Sequence, residues 1–300
     1  MKQFKIKEWE QGAVYMAYSS LFLSVLNLSA KVCIGALGVV ETTFLRCFTP
    51  LVLLIPILGW KGKLHELRMS IGFHMHLLRS LCVVLGQTSL SYYLTQGTIA
   101  NATMLWATGP IYIPILSFFF FRHKTLWVTW FSIAICLLGV MLMIKPTNGL
   151  FDPFSIWGIF AGILTAFSQI LWGHNVEKGS LTENFFYLYL FSSVLALFTW
   201  IYFGNQGLEK FPDTTIVWVA IVGLGLASLG NQLFRSRAYQ KAAPYLLTPI
   251  LYTSVVGGGI LDAFFYRRFP DLWGYIGFGL VLAGTLIKWW YLKKMGEKLN

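Results

Sequence analysis

One stretch in the last third of the chain decides the fold: Ser236-Arg237-Ala238-Tyr239-Gln240-Lys241-Ala242-Ala243-Pro244, a short basic segment that ends in proline. An apolar run, residues 215–234, precedes this segment, and further apolar runs, residues 245–265 and 272–290, follow it. Runs of about 20 apolar residues are long enough to cross a bilayer as helices. Because these runs are closely spaced, they predict a bundle of membrane-spanning helices.

The composition indicates the same class of protein. The chain has 300 residues, of which 56% are hydrophobic and only 12% are charged, and its mean hydropathy is +0.64. A soluble protein carries about 25% charged residues. The net charge of +11 does not indicate a nucleic-acid partner, because the sequence offers no soluble domain with a basic stripe. Four cysteines stand singly in apolar runs, so we expect no metal, no disulfide and no cofactor.

The remaining apolar runs complete an all-α integral membrane fold. We predict ten transmembrane helices, arranged as two inverted five-helix repeats at residues 1–145 and 146–300. They leave no stretch for a soluble domain. The predicted helices cover roughly residues 12–35, 40–58, 71–94, 99–121, 126–144, 155–173, 184–203, 215–234, 245–265 and 272–290.

Lysines and arginines predict the orientation. Ten spans put both termini on one face, and fifteen lysines and arginines, Arg235 among them, lie on that face against four on the other. Short loops that are rich in these residues stay in the cytoplasm, so we expect both termini there. Each predicted half has an odd number of spans and therefore runs opposite to the other, as in many secondary transporters.

The two halves also align at a constant offset of 145 residues. Phe121-Arg122 corresponds to Tyr266-Arg267, and a glycine stands 17 residues after each arginine, at Gly139 and Gly284. Together with the equal number of spans, this match favours a duplication.

A series of short motifs recurs in a fixed order along the chain. These motifs are Leu78-Arg79-Ser80, Gly109-Pro110, Lys145-Pro146, Arg237-Ala238-Tyr239, Thr248-Pro249 and Phe269-Pro270-Asp271. The series resembles the ten-helix EamA-type branch of the drug/metabolite transporter superfamily over essentially the whole length. Within it, the series is similar to the branch that contains bacterial S-adenosylmethionine and related metabolite carriers. The family usually has Gly-Glu pairs where this chain has Arg122-His123 and Arg267-Arg268, so we transfer no role from those glutamates.

Two arginines lie inside predicted spans, where an uncompensated charge is costly. Arg46 is near the middle of the second span and Arg79 is near the start of the third. Either guanidinium could bind a substrate carboxylate through two parallel hydrogen bonds, and either could instead satisfy helix carbonyls. We favour the binding role for Arg46 and the structural role for Arg79. His74 and His76 are expected at the membrane interface, so the sequence gives little support for proton coupling.

Polar and aromatic residues that interrupt the apolar runs are the other candidates. Amides inside lipid need partners and therefore face the bundle, and indole or phenol rings at mid-depth can stack on a planar or cationic group. Core packing is the alternative for each of them. The full predicted binding set is Asn27, Arg46, Arg79, Trp106, Gln169, Trp172, Asn231 and Tyr252.

Prolines on the symmetry-related fourth and ninth helices are candidate gating points. Pro110 and Pro249 each remove a backbone donor and allow a bend, which could serve alternating access or could be a static kink.

These observations favour a secondary transporter in the bacterial inner membrane that moves a small, zwitterionic metabolite, such as an amino acid or an S-adenosylmethionine-like molecule. An exporter of amphipathic drugs or amino acids and a membrane-embedded lipid-modifying enzyme are the alternatives. The sequence has no catalytic motif, so we expect no enzyme. The expected partners are the small-molecule substrate and the lipid bilayer, without nucleic acid, and a homodimer is left open.

Overall fold

A computed structural model describes residues 6–67, 70, 72–93, 104–122, 125–145, 152–204, 214–267 and 271–297. The described residues form helices and turns, and none of them lies in a β-strand. We label ten helices in chain order: α1 Ile6–Leu37, α2 Val39–Trp60, α3 Phe73–Tyr93, α4 Met104–Phe120, α5 Trp127–Ile144, α6 Ile156–Lys178, α7 Leu181–Phe203, α8 Thr215–Lys241, α9 Pro244–Phe265 and α10 Leu272–Glu297.

Most of these helices can cross a bilayer. Within the described ranges, eight are long and apolar enough to span a membrane, and α4 is a shorter apolar helix. The helix α3 is long enough but less apolar, because it carries His74, His76 and Arg79. Large apolar side chains such as Trp127 and Phe264 cover the outside of the bundle, as lipid contact requires. The predicted class, an all-helical multi-span membrane protein, is confirmed.

The helix contacts of the two halves match. If each helix of the first half is exchanged with the helix five places later, so that α1 exchanges with α6 and α3 with α8, the most extensive contacts fall on the same pairs of helices. The pair α1–α8 matches the pair α6–α3, and α1–α9 matches α6–α4. The pairs α2–α7 and α5–α10 map onto themselves. This pattern is expected of two halves related by a two-fold axis. The division at residue 145 and the inverted relation of the halves stay predictions.

Glycines let α5 and α10 approach closely. A β-carbon on Gly139 would lie 2.6 Å from the carbonyl oxygen of Gly277, and one on Gly277 would lie 2.5 Å from that of Gly139. A β-carbon on Gly284 would lie 2.9 Å from the carbonyl oxygen of Ser132. Ser132 and Gly139 precede Gly277 and Gly284 by the same 145 residues that separate the aligned motifs. The same backbone contact is therefore made twice.

The helices α4 and α9 end alike. Arg122 and Arg267 both have a φ of 52°, in the left-handed region, with ψ values of 26° and 29°. A residue with a β-carbon is strained there, and glycine is the usual choice. The aligned Phe-Arg and Tyr-Arg pairs thus have the same backbone conformation.

The segment quoted at the outset is largely helical. The helix α8 continues through Arg235 and Ser236 to Lys241, and both Arg235 and Ser236 are buried. The prediction that Arg235 lies in a loop is therefore wrong, because contacts with other helices extend α8 beyond its apolar run. The loop is reduced to the residues between Lys241 and Pro244, where α9 begins.

The other predicted helix boundaries that fall on described residues differ from the structure by up to seven residues, the largest difference being at the end of α10. The predicted start of the fourth helix, near residue 99, lies outside the described residues. The helix α9 is irregular, with a short 3₁₀ turn at Thr248–Tyr252 between two α-helical parts. Pro249 lies in that turn, and Pro110 lies just after an interruption of α4 at Thr108.

Candidate functional site

A cavity of about 90 Å³ lies between α1, α2, α3, α4 and α6. It is in the half of the bundle away from the chain termini, since Arg46 lies in the first half of α2, seven residues after its start, and Gln87 is in the second half of α3. The lining residues are Ala30, Ile34, Val39, Thr42, Thr43, Arg46, Gly86, Gln87, Leu90, Trp106 and Thr165.

Arg46 and Trp106 form the polar end of this cavity. The guanidinium carbon of Arg46 lies 5.7 Å from the centre of the Trp106 ring, close enough for a cation–π contact. The ring is fixed in turn, because Trp106 Nε1 donates a hydrogen bond to Thr165 Oγ1 at 3.0 Å. None of the hydrogen bonds described for the structure uses the Arg46 guanidinium. Its donors are therefore available to a ligand in the cavity.

A second cluster is centred on Trp172 of α6, nearer to the chain termini. The guanidinium carbons of Arg79 and Arg235 lie 4.3 Å and 5.4 Å from the centre of its ring. Trp172 Nε1 donates to Ser236 Oγ at 2.8 Å, and Tyr239 meets the indole edge-on with the ring centres 5.5 Å apart. We call this group the Trp172 cluster.

Amides and hydroxyls hold the Trp172 cluster in place. Arg235 Nε donates to Ser19 Oγ at 3.1 Å, and Ser19 Oγ donates to Asn231 Oδ1 at 2.7 Å. Arg79 Nη2 donates to Gln232 Oε1 at 3.3 Å. The phenol of Tyr239 donates to Gln169 Oε1 at 2.6 Å. Helices α1, α3, α6 and α8 are thereby joined through polar groups.

The structure divides the predicted binding residues into separate groups. Arg46 and Trp106 share the cavity, whereas Arg79, Gln169, Trp172 and Asn231 belong to the Trp172 cluster.

Two predicted residues belong to neither group. Tyr252 is buried in an apolar core with Cys136 and Val281, and its hydroxyl has no partner among the described residues. Asn27 is half-buried on α1, one turn before Ala30 of the cavity lining.

The predicted binding set omits Arg235, Ser236 and Tyr239 of the Trp172 cluster, and it omits Ser19, which accepts a hydrogen bond from Arg235. Arg235 was assigned to a loop, and Ser19 lies on α1 without any sequence signal. Helical spacing could have revealed Arg235, since Asn231, Arg235 and Tyr239 recur every four residues and so share one face of α8. The distant partners of that face can be known only from the fold.

Another buried polar pair joins α3 to α7. His76 Nε2 lies 3.0 Å from Glu183 Oε1, and both side chains are buried. His76 lies three residues after the start of α3, and Glu183 and the surrounding helices enclose it, so its predicted place at the membrane interface stays a prediction. His74, two residues earlier, is exposed.

The chemistry of these groups is that of recognition. Cationic, amide and indole groups can bind and orient a polar molecule. Over the described ranges, no group of histidine, cysteine and carboxylate side chains could hold a metal ion. The four cysteines are free and buried.

An apolar helical bundle with arginines, amides and indoles inside it has the architecture of a membrane transporter. The model of the EamA-like transporter family matches the chain twice, over residues 10–145 and residues 154–289. The chain belongs to that family and is a transporter rather than an enzyme.

Individual relatives agree with the family assignment. The chain is 25% identical to the S-adenosylmethionine uptake transporter of Rickettsia felis over 289 residues, which cover 94% of this chain and 93% of that protein. It is 24% identical over 280 residues to an uncharacterized transporter of Helicobacter pylori, with 92% and 93% covered. A solved crystal structure matches with a TM-score of 0.79 at 15% identity, covering 94% of this chain and 98% of the other, and so shows the fold alone.

Proposed function

We propose that this transporter moves a small, zwitterionic metabolite across the bacterial inner membrane by alternating access, with S-adenosylmethionine as the first candidate and amino acids as the second. The observation that carries the proposal is the cavity in which Arg46 lies against Trp106. The names of the Rickettsia relatives support the choice of S-adenosylmethionine.

Arg46 binds the carboxylate in this proposal. A guanidinium makes two parallel hydrogen bonds to a carboxylate, and the bond is stronger in a site from which water is excluded. Because the described hydrogen bonds leave Arg46 unused, a ligand can take its donors without breaking any of them. A purely lipophilic substrate would leave that charge uncompensated beside it, at a cost of several kcal/mol.

Trp106 binds the other end of the substrate. Its ring already faces the guanidinium, and an indole attracts a sulfonium, an ammonium or a planar base. Gln87 and Thr165 add polar groups to the same walls. The cavity accommodates an amino-acid head group, and a larger metabolite requires the surrounding helices to separate.

The helix packing supports alternating access. Because the two halves make matching helix contacts, one half of the bundle can rock against the other. We propose Pro110 and Pro249 as the bending points, since each stands at an irregular place in α4 or α9. The excess of lysine and arginine on the face with the termini supports their placement in the cytoplasm.

The test is transport by the purified protein in liposomes. Labelled S-adenosylmethionine and a panel of labelled amino acids are followed into proteoliposomes and into protein-free liposomes. We expect saturable, protein-dependent flux of at least one carboxylate-bearing substrate. Absence of flux for the entire panel, with correctly folded protein, overturns the proposal.

A pair of variants tests the role of the indole. Trp106→Ala should weaken transport of S-adenosylmethionine by about tenfold, because the ring contact contributes roughly 1–2 kcal/mol. Trp127→Ala is the matched control, since Trp127 is an exposed indole on the outside of α5. Equal effects of the two substitutions contradict a binding role for Trp106.

A further inference from the structure

Two buried arginines share one indole in the Trp172 cluster. Arg79 and Arg235 are 1% and 4% exposed, and their guanidinium groups lie over the ring of Trp172. The two side chains come from different helices, α3 and α8. Burying one such charge is costly, and placing two beside one ring also brings like charges together.

The described residues do not neutralise these charges. Arg79 Nε and Nη1 and Arg235 Nη2 are buried without a hydrogen-bond partner among the described side chains and backbone. The ion pairs that the structure describes involve neither arginine. The indole attracts both cations but accepts none of these hydrogen bonds. Three donor atoms are therefore unsatisfied.

The neutral neighbours are already committed to other bonds. Ser19 links Arg235 to Asn231, Gln232 accepts from Arg79, and Ser236 accepts from Trp172. These contacts fix the two guanidinium groups while leaving three of their nitrogen atoms without a hydrogen-bond partner in the described part of the chain. Fixed donors that need no rearrangement are what a tight anion site requires.

We propose that Arg79 and Arg235 form a binding site for an oxyanion, either a carboxylate or a phosphate, that is distinct from the Arg46 cavity. Neither arginine is among the residues that line that cavity. A guanidinium matches the two oxygens of a carboxylate or a phosphate, and two guanidinium groups can hold one anion from two sides.

The site is nearer to the chain termini than the Arg46 cavity is. Arg79 lies six residues after the start of α3, and Arg235 lies six residues before the end of α8. At about 1.5 Å per residue, both are roughly 9 Å from that end of the bundle. Exposed Arg237 and Lys241 at the end of α8 add positive charge there. An anion would therefore enter from the face with the termini.

This site goes beyond the proposed function, because it would bind an anion even if the substrate of the Arg46 cavity were different. In a transporter whose substrate site opens alternately to the two faces of the membrane, it provides a second binding site for an anionic group. The experiment therefore measures anion binding by the purified full-length protein and needs no transported substrate.

Thermal unfolding in detergent is measured against increasing sodium acetate, sodium phosphate or sodium chloride at constant ionic strength. The proteins are the wild type, Arg79→Met, Arg235→Met and the matched control Arg237→Gln, whose side chain is exposed two residues along the same helix. We expect acetate or phosphate to raise the melting temperature of wild type and control saturably, and chloride to do so far less. Each methionine variant should bind the anion about tenfold more weakly, since a charge-assisted hydrogen bond is lost.

A second measurement distinguishes loss of anion binding from loss of stability in the variants. In buffer without oxyanions the methionine variants should melt no lower than wild type, because an unpaired buried charge has been replaced by an apolar chain of similar length. If they melt lower and the wild type does not respond to either anion, the arginines are structural and the proposal fails. An equal response of all four proteins also overturns it.

The anions and one further variant separate the remaining outcomes. If the methionine variants weaken a response to acetate alone, the ligand is a carboxylate, and if they weaken a response to phosphate alone, it is a phosphate. Either result supports the site. In Arg46→Gln, which removes the guanidinium of the cavity, the part of the response that the two methionine variants weaken should persist. Complete loss of the response in Arg46→Gln would contradict a site distinct from the cavity.

Discussion

Nε2 of His76 on α3 lies 3.0 Å from Oε1 of Glu183 on α7, with both side chains 1% exposed. A carboxylate only accepts hydrogen bonds, so the imidazole donates. Ser70, which precedes α3, donates its hydroxyl proton to the other carboxylate oxygen. Both oxygens of Glu183 are thus satisfied, and the start of α3 is tied to the start of α7.

Breaking this pair should destabilise the protein. Replacing His76 by Gln should lower the free energy of unfolding by on the order of 2 kcal/mol, the usual contribution of a buried hydrogen bond to a charged group. His74→Gln is the control, because His74 is exposed on the same helix. Melting temperatures in detergent give the comparison. If the two histidine variants melt alike, the buried pair does not hold these helices together.

Substitutions at two strained helix ends should stabilise the protein. Arg122 and Arg267 have left-handed backbones at the ends of α4 and α9. Glycine should remove that strain, so Arg122→Gly and Arg267→Gly should each raise stability by about 1 kcal/mol. Arg122→Ala keeps a β-carbon and removes the charge. A gain with alanine equal to that with glycine would show that charge, not backbone conformation, is responsible.

The sequence alone allowed the helices and the family to be predicted because both depend on local patterns. Apolar runs of membrane-crossing length mark the spans, and the ordered motifs mark the family. Arg46 and Trp106 were predicted to lie inside the bundle, and they share a cavity there. Their contact depends on how α2 and α4 pack, which no local pattern encodes.

The Trp172 cluster and the His76 pair could not be predicted for the same reason. Arg235 follows an apolar run and is near other basic residues, so its sequence context is that of a loop. It is buried because Trp172 and Ser19, on two other helices, surround it. His76 likewise depends on Glu183, more than 100 residues away.

Because α5 and α10 pack closely, we expect that adding one methyl group at their contact destabilises the protein. Gly139→Ala would put a β-carbon 2.6 Å from the carbonyl oxygen of Gly277, so the helices must separate. We expect a loss of about 1–3 kcal/mol, as for other overpacked sites. Gly279→Ala on α10 is the control, because a β-carbon there meets no atom within 4 Å. Equal melting temperatures for the two variants would contradict the close approach.

An exposed ion pair gives a pH dependence. The hydrogen bond from Lys145 lowers the pKa of Asp271, and so does the backbone N–H of Gly274, which donates to Asp271 Oδ1 at 3.1 Å. A carboxylate with a lowered pKa stabilises the folded state above its unfolded pKa, and this contribution is lost as the pH falls through the folded pKa.

The corresponding comparison is between wild type and Asp271→Asn. The wild type should melt higher at pH 7, and the difference should shrink as the pH falls through the lowered pKa of folded Asp271 and vanish once the carboxyl group is protonated in both states. Lys145→Gln should shrink the difference at pH 7, since it removes the main cause of the lowered pKa. A difference between wild type and Asp271→Asn that is the same at every pH would contradict this account.

Transport by Arg46→Gln and Arg46→Lys tests the central claim most directly. Labelled S-adenosylmethionine and amino acids are followed into liposomes that contain wild type, either variant, or Lys61→Gln, an exposed control just after the end of α2. We predict that Gln weakens the apparent affinity for the transported carboxylate by about tenfold or more and that Lys weakens it less, because a point charge retains attraction without the two parallel hydrogen bonds. Lys61→Gln should match wild type. Wild-type transport of every substrate by both folded Arg46 variants would contradict carboxylate recognition by Arg46.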